Sequence, residues 1–167
     1  GVRLVLSARR ADRLAALSDE LPEASCYLAA DIADTATPQR LLDKALAEFG
    51  QADILINNAG MLVSGSLEEV ELDQLAQMTR VNFDSVVRST YIFARYFKAQ
   101  KGGAIINISS IGAYLSHSSM AVYGGLKQAL ETFTTALRVE LKGSGIRVSS
   151  IAPGTTDTEI FDSAKAK

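Results

Sequence analysis

The sequence is poor in cysteine, in histidine and in net charge. Cys26 is the single cysteine among 167 residues, so no internal disulfide can form, and a reducing, cytoplasmic setting fits best. The first residues also lack the pattern of a secretory leader, which agrees with a cytoplasmic location. With a formal net charge of −2, the chain offers no basic field to phosphate backbones, so we do not expect it to bind nucleic acid.

Long apolar runs and clusters of metal ligands are missing as well. The runs Ile54 to Ile56 and Ile105 to Ile108 are far shorter than the about 20 residues that a membrane-spanning helix needs. His117 is the only histidine, and no group of ligands with metal-site spacing accompanies it. We therefore expect neither a membrane span nor a metal site. The 47% of apolar residues can supply a continuous core for one domain over residues 1–167.

Hydrophobic periodicity indicates that strands and helices alternate. Short apolar runs predict five strands, at Val2 to Leu6, Cys26 to Leu28, Ile54 to Asn57, Ala104 to Ser109 and Arg147 to Ile151. Helical spacing predicts four helices between them. The first carries Leu14, Leu17 and Leu21 and stops at Pro22, and the second has Thr37 as its N-cap, Pro38 as its first residue and Gly50 at its end. The other two span Leu72 to Ala99 and Val122 to Lys142. Strands that are apolar on both faces and alternate with helices predict an α/β fold, a doubly wound parallel sheet with helices on both faces.

Ligands of such sheets bind beyond the carboxyl ends of the strands, so the segments that follow each strand are the first candidates for a site. These segments are Ala8-Arg9-Arg10, Asp31-Ile32, Asn57-Asn58-Ala59-Gly60, Ser109-Ser110 and Pro153-Gly154. Several of them carry groups suited to chemistry or to close approach of a ligand.

Tyr123 and Lys127 lie four residues apart at the start of a predicted helix, so both side chains project from one face. An ammonium about 4 Å from a phenol, at an effective dielectric near 20, is worth about 4 kcal/mol, which would lower the pKa of the phenol toward the range of efficient acid and base catalysis. The pair alone is weak evidence, because exposed helix faces produce it by chance. Ser110 ends the preceding strand, where its hydroxyl either donates to a substrate carbonyl or caps a turn.

Four motifs together resemble the short-chain dehydrogenases/reductases, in their order and their spacing. They are Asn57-Asn58-Ala59-Gly60, Ile108-Ser109-Ser110-Ile111-Gly112, Tyr123 with Lys127, and Pro153-Gly154. The resemblance implies a compact Rossmann-type domain, an oxidoreductase that transfers hydride between a nicotinamide cofactor and a carbonyl or secondary alcohol. By the same resemblance Tyr123 would donate the proton in reduction, Lys127 would lower the pKa of Tyr123 and hold the nicotinamide ribose, and Ser110 would orient the carbonyl.

Asn82 matches the helix asparagine of the family, which holds a water that links the lysine to solvent. The residue pattern supports a special role, since Asn82 interrupts an apolar helical stripe formed by Leu75, Met78 and Val86. The alternative is that Asn82 bonds neighbouring backbone for structural reasons alone.

The resemblance also implies a set of cofactor contacts. Asp31 and Ile32 would contact the adenine ring, and Asn58, Ala59 and Gly60 would line the adenosine and ribose. Tyr123 and Lys127 would hold the nicotinamide ribose, and the segment that closes over the carboxamide would include Pro153, Gly154, Thr156 and Thr158. Thr158 could instead cap a following helix.

The charge after the first strand favours NADP(H) over NAD(H). An NAD site in this fold puts an acid there, whereas a 2′-phosphate needs cations. This chain has Ala8 followed by Arg9 and Arg10, which we expect to bind the phosphate. The alternative is that both arginines are solvated residues at the start of a helix.

The chain departs from the family at both ends. The glycine-rich turn and first strand of the family are absent, and so is its last strand, which indicates a fragment of a longer enzyme. The first strand of the family lies between the strands that correspond to Val2 to Leu6 and Ile54 to Asn57, so we expect a sheet split at that place. By itself such a chain should bind cofactor weakly and turn over little.

The expected substrate is a modestly hydrophobic ketone, aldehyde or secondary alcohol. The residues expected to face it are Met61, Leu62, Tyr114, Leu115, His117 and Met120. A helical segment that is apolar on more than one face predicts a homodimer or homotetramer, and it contains Tyr91, Ile92, Phe93, Tyr96 and Phe97. Two alternatives remain: an extended-type NAD-dependent epimerase or dehydratase, and a non-catalytic binding or regulatory protein with the same fold.

Overall fold

A computed structural model describes residues 1–21, 24–115, 117–156 and 158–160. It contains five strands: β1 (Leu4–Ala8), β2 (Ser25–Ala29), β3 (Ile54–Asn57), β4 (Gly103–Ile108) and β5 (Ile146–Ile151). Five α-helices alternate with them: α1 (Ala11–Glu20), α2 (Thr37–Phe49), α3 (Leu72–Thr79), α4 (Ser85–Ala99) and α5 (Ala121–Glu140). A π-helical turn, Arg80–Asp84, joins α3 to α4, and a 3₁₀ turn, Ile111–Ala113, follows β4.

The strands form two parallel sheets. In the first, β1 pairs with β2, with Leu4 opposite Ser25. In the second, β4 lies between β3 and β5, with Ile54 opposite Ala104 and Gly103 opposite Ile146. The predicted α/β class with parallel strands is confirmed, and the described strands are interrupted between β1 and β3, at the place where the sequence predicts a split.

The main core lies between the second sheet and the helices α4 and α5. Phe97 and Ile105 are fully buried in it, and Leu55, Leu137 and Val148 pack around them. A Cβ built on Gly103 would lie 2.4 Å from Cγ of Phe97, so this glycine allows α4 to approach β4 closely.

The apolar segment of α4 is mostly explained by this core. Phe93 and Phe97 are buried, and Ile92 and Tyr96 pack against the same cluster, while α4 also contacts α2. Tyr91 is the member that is largely exposed, at 47%. The apolar pattern on more than one face therefore reflects packing against two neighbours within the chain, and it is a weaker sign of a subunit interface than the sequence suggests.

The opposite face of the second sheet is less covered than the sequence predicts. Ile54, Ile56 and Ile151 are 53%, 56% and 51% exposed, respectively. Side chains alternate along a strand, so these isoleucines lie on the face away from Leu55 and Val148, where α4 and α5 pack.

Some element boundaries differ from the sequence prediction. β1 begins and ends two residues later than expected, so Ser7 and Ala8 belong to the strand. Thr37 is the first residue of α2 and not its cap: the N-cap is Ala36, and the hydroxyl of Thr37 donates to the carbonyl of Asp31 (2.7 Å). Gly50 ends α2 as predicted, with a φ of 77° that favours glycine.

Three further helix predictions concern ends and continuity. The helix α1 ends at Glu20, and Pro22, the predicted stop, lies outside the described residues. Leu17 is 43% exposed, so the stripe of α1 is narrower than its leucines suggest. The predicted long helix from Leu72 is interrupted by the π-helical turn, whose extra residue per turn single-sequence periodicity does not reveal.

Candidate active site

The pair Tyr123 and Lys127 lies on the first turns of α5, at the carboxyl end of β4. Lys127 is 6% exposed, and its Nζ donates to the carbonyl of Ile108, the last residue of β4, at 2.8 Å. The same nitrogen is 5.8 Å from the centroid of the Tyr123 ring. Burial of the ammonium lowers the pKa of Lys127 to about 8, while the charge of Glu131 acts in the opposite direction.

Ser110 faces the same place from the strand side. It caps the 3₁₀ turn, and its Oγ accepts from the backbone N–H of Gly112 at 3.1 Å. A Cβ built on Gly112 would lie 3.3 Å from Cε1 of Tyr123 and 3.4 Å from Oγ of Ser110. Both side chains therefore lie against the α-carbon of Gly112. The structure brings Ser110, Tyr123 and Lys127 together, and Ser110 also has the turn-capping role that the sequence left open.

Asn82 lies in the π-helical turn and is 1% exposed. Its Oδ1 accepts from the backbone N–H of Met61, and its Nδ2 donates to the carbonyl of the same residue, both at 2.8 Å. The amide thus fixes the loop that follows Asn58-Ala59-Gly60. Both polar atoms of the side chain are used by backbone, which agrees with the structural alternative, and a water relay stays a prediction.

A buried polar network connects the strands to the helices beneath this site. Asn107 Oδ1 accepts from Asn57 Nδ2 at 2.8 Å, and Asn107 Nδ2 donates to Thr134 Oγ1 at 2.9 Å. Asn57 Nδ2 also approaches Thr90 Oγ1 at 3.3 Å. Sequence reasoning did not single out Asn107 or Thr134, although an asparagine inside an otherwise apolar strand is a visible signal that a buried partner is required.

The residues expected to hold the cofactor lie at the carboxyl ends of the strands. Asn58, Ala59 and Gly60 follow β3 and are exposed, as are Gly154, Thr156 and Thr158 after β5, whereas Pro153 is half-buried. Asp31 and Ile32 follow β2 and are half-buried, with Asp31 Oδ1 accepting from the N–H of Ala33 (2.9 Å). No helix begins at Thr158 within the described residues.

A buried hydroxyl at this edge stands out by its surroundings. Ser109, next to Ser110, is 4% exposed, and its Oγ lacks a hydrogen bond among the described residues. A buried hydroxyl without a partner is costly, so a ligand or water that reaches the end of β4 would be stabilised there.

The arginines after β1 have unequal surroundings. Arg10 Nη1 donates to Glu159 Oε2 at 2.8 Å, and Arg13 Nη1 donates to Glu159 Oε1 at 2.5 Å. Arg9 is exposed and has no side-chain partner in the described part of the chain. The start of α1 thus binds an anionic group with Arg10 and Arg13, and sequence reasoning missed Arg13 because its partner is 146 residues away along the chain.

A surface cavity of about 520 Å³ lies beside the site, on an adjoining face of α5. Four of the residues expected to face substrate line it: Tyr114, Leu115, His117 and Met120. Ser110 and Tyr123 do not line this cavity. Leu62 is 2% exposed, so the prediction that it faces substrate is not supported; it is a core residue.

Two negative findings apply to the described residues. No helix among them is long and apolar enough to cross a membrane. No group of three or more histidine, cysteine, aspartate or glutamate side chains is arranged to hold a metal ion within the described ranges.

Comparison with known sequences decides the family. The sequence profile described as short chain dehydrogenase matches residues 1–167. The chain belongs to the short-chain dehydrogenase family. Serine 3-dehydrogenase of Agrobacterium fabrum is 36% identical over 160 residues, which cover 95% of this short-chain dehydrogenase chain and 64% of that relative. The chain thus spans about two thirds of the length of the curated relatives that it matches.

Solved structures agree with the family and the fold. A gluconate 5-dehydrogenase from Burkholderia cenocepacia, in complex with NADP and tartrate, is 31% identical with a TM-score of 0.86, covering 96% of this chain and 64% of that chain. A 3-ketoacyl-(acyl-carrier-protein) reductase from Brucella melitensis, complexed with NADH, is 28% identical with a TM-score of 0.92, covering 98% and 70%. The Rossmann-type fold is confirmed. These two short-chain dehydrogenases were solved with different cofactors, so the likeness does not decide between NADP and NAD.

Proposed function

We propose that the protein to which this chain belongs transfers hydride between NADP(H) and a carbonyl or secondary alcohol, using Ser110, Tyr123 and Lys127. One observation carries the proposal: Oγ of Ser110 and the ring of Tyr123 both lie against Gly112, and the Lys127 ammonium is 5.8 Å from the centroid of that ring. A carbonyl oxygen placed between the two hydroxyl groups would find two donors and a nearby positive charge.

The division of labour follows from the chemistry of each group. The nicotinamide, when bound, supplies or accepts the hydride at the substrate carbon. In reduction Tyr123 donates its hydroxyl proton to the carbonyl oxygen, and in oxidation its phenolate takes the proton from the alcohol. The Lys127 charge favours the phenolate form, and Ser110 donates a hydrogen bond that fixes the oxygen. Asn82 belongs to the proposed site as the residue that fixes the Met61 loop, and we propose that the proton-relay water binds beside this loop.

The residues at the strand ends fit a dinucleotide with a 2′-phosphate. Arg10 and Arg13 already bind the carboxylate of Glu159, which supports an anion site at the start of α1. We propose that Arg9 and Arg10 bind the 2′-phosphate, that Asp31 and Ile32 contact the adenine, and that Asn58, Ala59 and Gly60 line the adenosine. The same proposal assigns the carboxamide contacts to Pro153, Gly154, Thr156 and Thr158, and the nicotinamide ribose to Tyr123 and Lys127.

Substrate, assembly and location are further parts of this proposal. The cavity beside α5 is lined partly by Leu115 and Met120, which supports a modestly hydrophobic ketone, aldehyde or secondary alcohol. The exposed Tyr91 on α4 supports a homodimer or homotetramer. The single Cys26 is consistent with the cytoplasm, and residues 1–167 act as one domain.

The test is a panel of ketones, aldehydes and alcohols, with nicotinamide absorbance followed for NADPH and NADH, on this chain and on the protein at the length of its relatives. We expect Tyr123→Phe to lower turnover by about 100- to 10,000-fold, because the proton donor is lost, while cofactor affinity changes little. Tyr27→Phe is the matched control, since it removes a phenol hydroxyl from a partly exposed residue of β2, outside the proposed site, and should leave turnover unchanged. Turnover that survives Tyr123→Phe would refute the proposed mechanism, and cofactor binding without turnover of any compound would favour a binding role.

A further inference from the structure

Glu131 lies one helical turn beyond Lys127, so Tyr123, Lys127 and Glu131 share one face of α5. Its two carboxylate oxygens accept from Oγ of Ser150 on β5, at 3.0 and 2.8 Å. Burial first, and then the charge of this carboxylate, raise the pKa of Tyr114, so the Tyr114 phenol, beyond the 3₁₀ turn, lies near Glu131. The bond from Ser150 therefore fixes a carboxylate that would otherwise be free to rotate toward solvent, and Tyr114 lies beside it.

The buried ammonium of Lys127 can be stabilised by the negative charge of this carboxylate. Its ammonium is buried, and its one hydrogen bond among the described residues is to the Ile108 carbonyl, which is neutral. Taking an ammonium out of water favours its neutral form. A neutral Lys127 would no longer favour the phenolate of Tyr123, so the proposed reaction requires a compensating negative charge nearby.

We propose that Glu131 is a positioning residue that keeps Lys127 protonated, and that Ser150 and Tyr114 hold its carboxylate where the charge acts on the ammonium. The effect of this charge on the reaction rests on the proposed function, because Lys127 belongs to the proposed site with Ser110 and Tyr123. The state of Lys127 itself can be measured without turnover.

Other charged groups near α5 are less suited to this role. Arg147 lies on β5 but on the face away from Ser150, because side chains alternate along a strand, and it is exposed. Further titratable groups on the elements packed against α5 are exposed as well: Asp73 of α3, and Arg80 and Asp84 of the π-helical turn. Burial lowers the pKa of Lys127 first, and Glu131 supplies the opposing charge.

The direct test is the titration of Lys127 in the intact chain, followed by NMR of ¹⁵N-labelled lysine side chains and assigned with Lys127→Arg. In Glu131→Gln, which keeps a side chain able to bond Ser150, we expect the Lys127 midpoint to move about one pH unit lower, since a negative charge one helical turn away is removed. Glu140→Gln is the matched control, because it removes an exposed carboxylate at the far end of the same helix. Equal Lys127 midpoints in the two variants would overturn the proposal.

A second pair of variants tests the anchoring and guards against loss of folding in Glu131→Gln. The double variant Ser150→Ala with Tyr114→Phe keeps the carboxylate but frees it, so the midpoint should move in the same direction by a smaller amount. Ser149→Ala, on the opposite face of β5, should leave it unchanged. If the Lys127 midpoint in the double variant equals that in Ser149→Ala, the claim that Ser150 and Tyr114 hold the carboxylate in place is overturned.

Turnover separates this inference from the proposed function. In the active protein, the loss of reductase activity at high pH should begin at lower pH in Glu131→Gln by the same interval as the NMR midpoint, and Glu131→Asp should restore most of it. If the Lys127 midpoint moves while no substrate is turned over, the proposed function fails and the electrostatic role of Glu131 stands. If turnover depends on Tyr123 but the Lys127 midpoint does not respond to Glu131, the proposed function stands and the electrostatic role of Glu131 is refuted.

Discussion

Replacement of Thr134 by valine tests how much the buried polar network contributes to stability. Thr134 is fully buried, and its Oγ1 accepts from Nδ2 of Asn107 at 2.9 Å while donating to the carbonyl of Leu130 at 2.7 Å. Valine has nearly the same shape but no acceptor, so a buried amide donor of Asn107 would lose its partner. Leaving such a donor unsatisfied costs about 1–3 kcal/mol, and we expect a loss near the middle of that range, about 2 kcal/mol.

Thr132→Val is the matched control on the same helix. Thr132 is exposed, and its hydroxyl donates only to the carbonyl of Gln128 at 3.2 Å. The chemical change and the change in helix propensity are the same as at position 134, so the difference between the two variants isolates the buried hydrogen bond. An exposed substitution of this kind changes stability by about 0.5 kcal/mol or less.

The assay is urea unfolding followed by far-ultraviolet circular dichroism, because the chain has no tryptophan to report by fluorescence. A lower midpoint at unchanged slope would show a loss of stability without a change in the surface exposed on unfolding. The reasoning is refuted if Thr134→Val unfolds at the same urea concentration as Thr132→Val, since Asn107 would then have found another partner at no cost.

Two further predictions concern packing and cofactor choice. Gly103→Ala should destabilise the fold by about 1–3 kcal/mol in the same urea assay, because the new Cβ would overlap the buried ring of Phe97. In the control Gly102→Ala the new Cβ would meet nothing closer than 4.0 Å, so the loss of stability should be less than half as large. Equal losses in the two variants would contradict the close approach of α4 to β4. Glu159→Gln should raise the affinity for 2′,5′-ADP by about two- to fivefold in calorimetry at low salt, because the carboxylate that competes with the ligand for Arg10 is removed. The affinity for 5′-AMP should not change. An equal gain for both ligands would argue against a 2′-phosphate site.

Local sequence patterns predicted the features that depend on local periodicity. The alternation of strands and helices, and the common face of Tyr123 and Lys127, follow from spacing within single elements. The stripe with Asn82 was visible for the same reason, and its members Met78 and Val86 are buried as expected. The order of the strands followed from the family resemblance and not from periodicity.

Features that depend on contacts between distant elements could not be read from the sequence. The anchoring of Glu131 requires β5 to lie beside α5, and the contact of Arg13 with Glu159 joins opposite ends of the chain. The exposure of Ile56 was missed because an apolar residue in a strand does not reveal which face of the sheet a helix will cover. The π-helical turn was missed because one extra residue hardly alters a stripe of spacing three or four.

The break between β1 and β3 bears on how cooperatively the chain unfolds. In the described ranges, strand pairing joins neither of the two sheets to the other. The helix α2 contacts β1 and β2 on one side and α4 on the other, and its Leu42 and Ala45 belong to the core of the second sheet. Apart from the exposed ion pairs of Arg10 and Arg13 with Glu159, coupling between the described halves therefore passes mainly through the side chains of one 13-residue helix. Weakening that helix should let the β1–β2 unit unfold while β4, paired along both of its edges, still protects its amides from exchange.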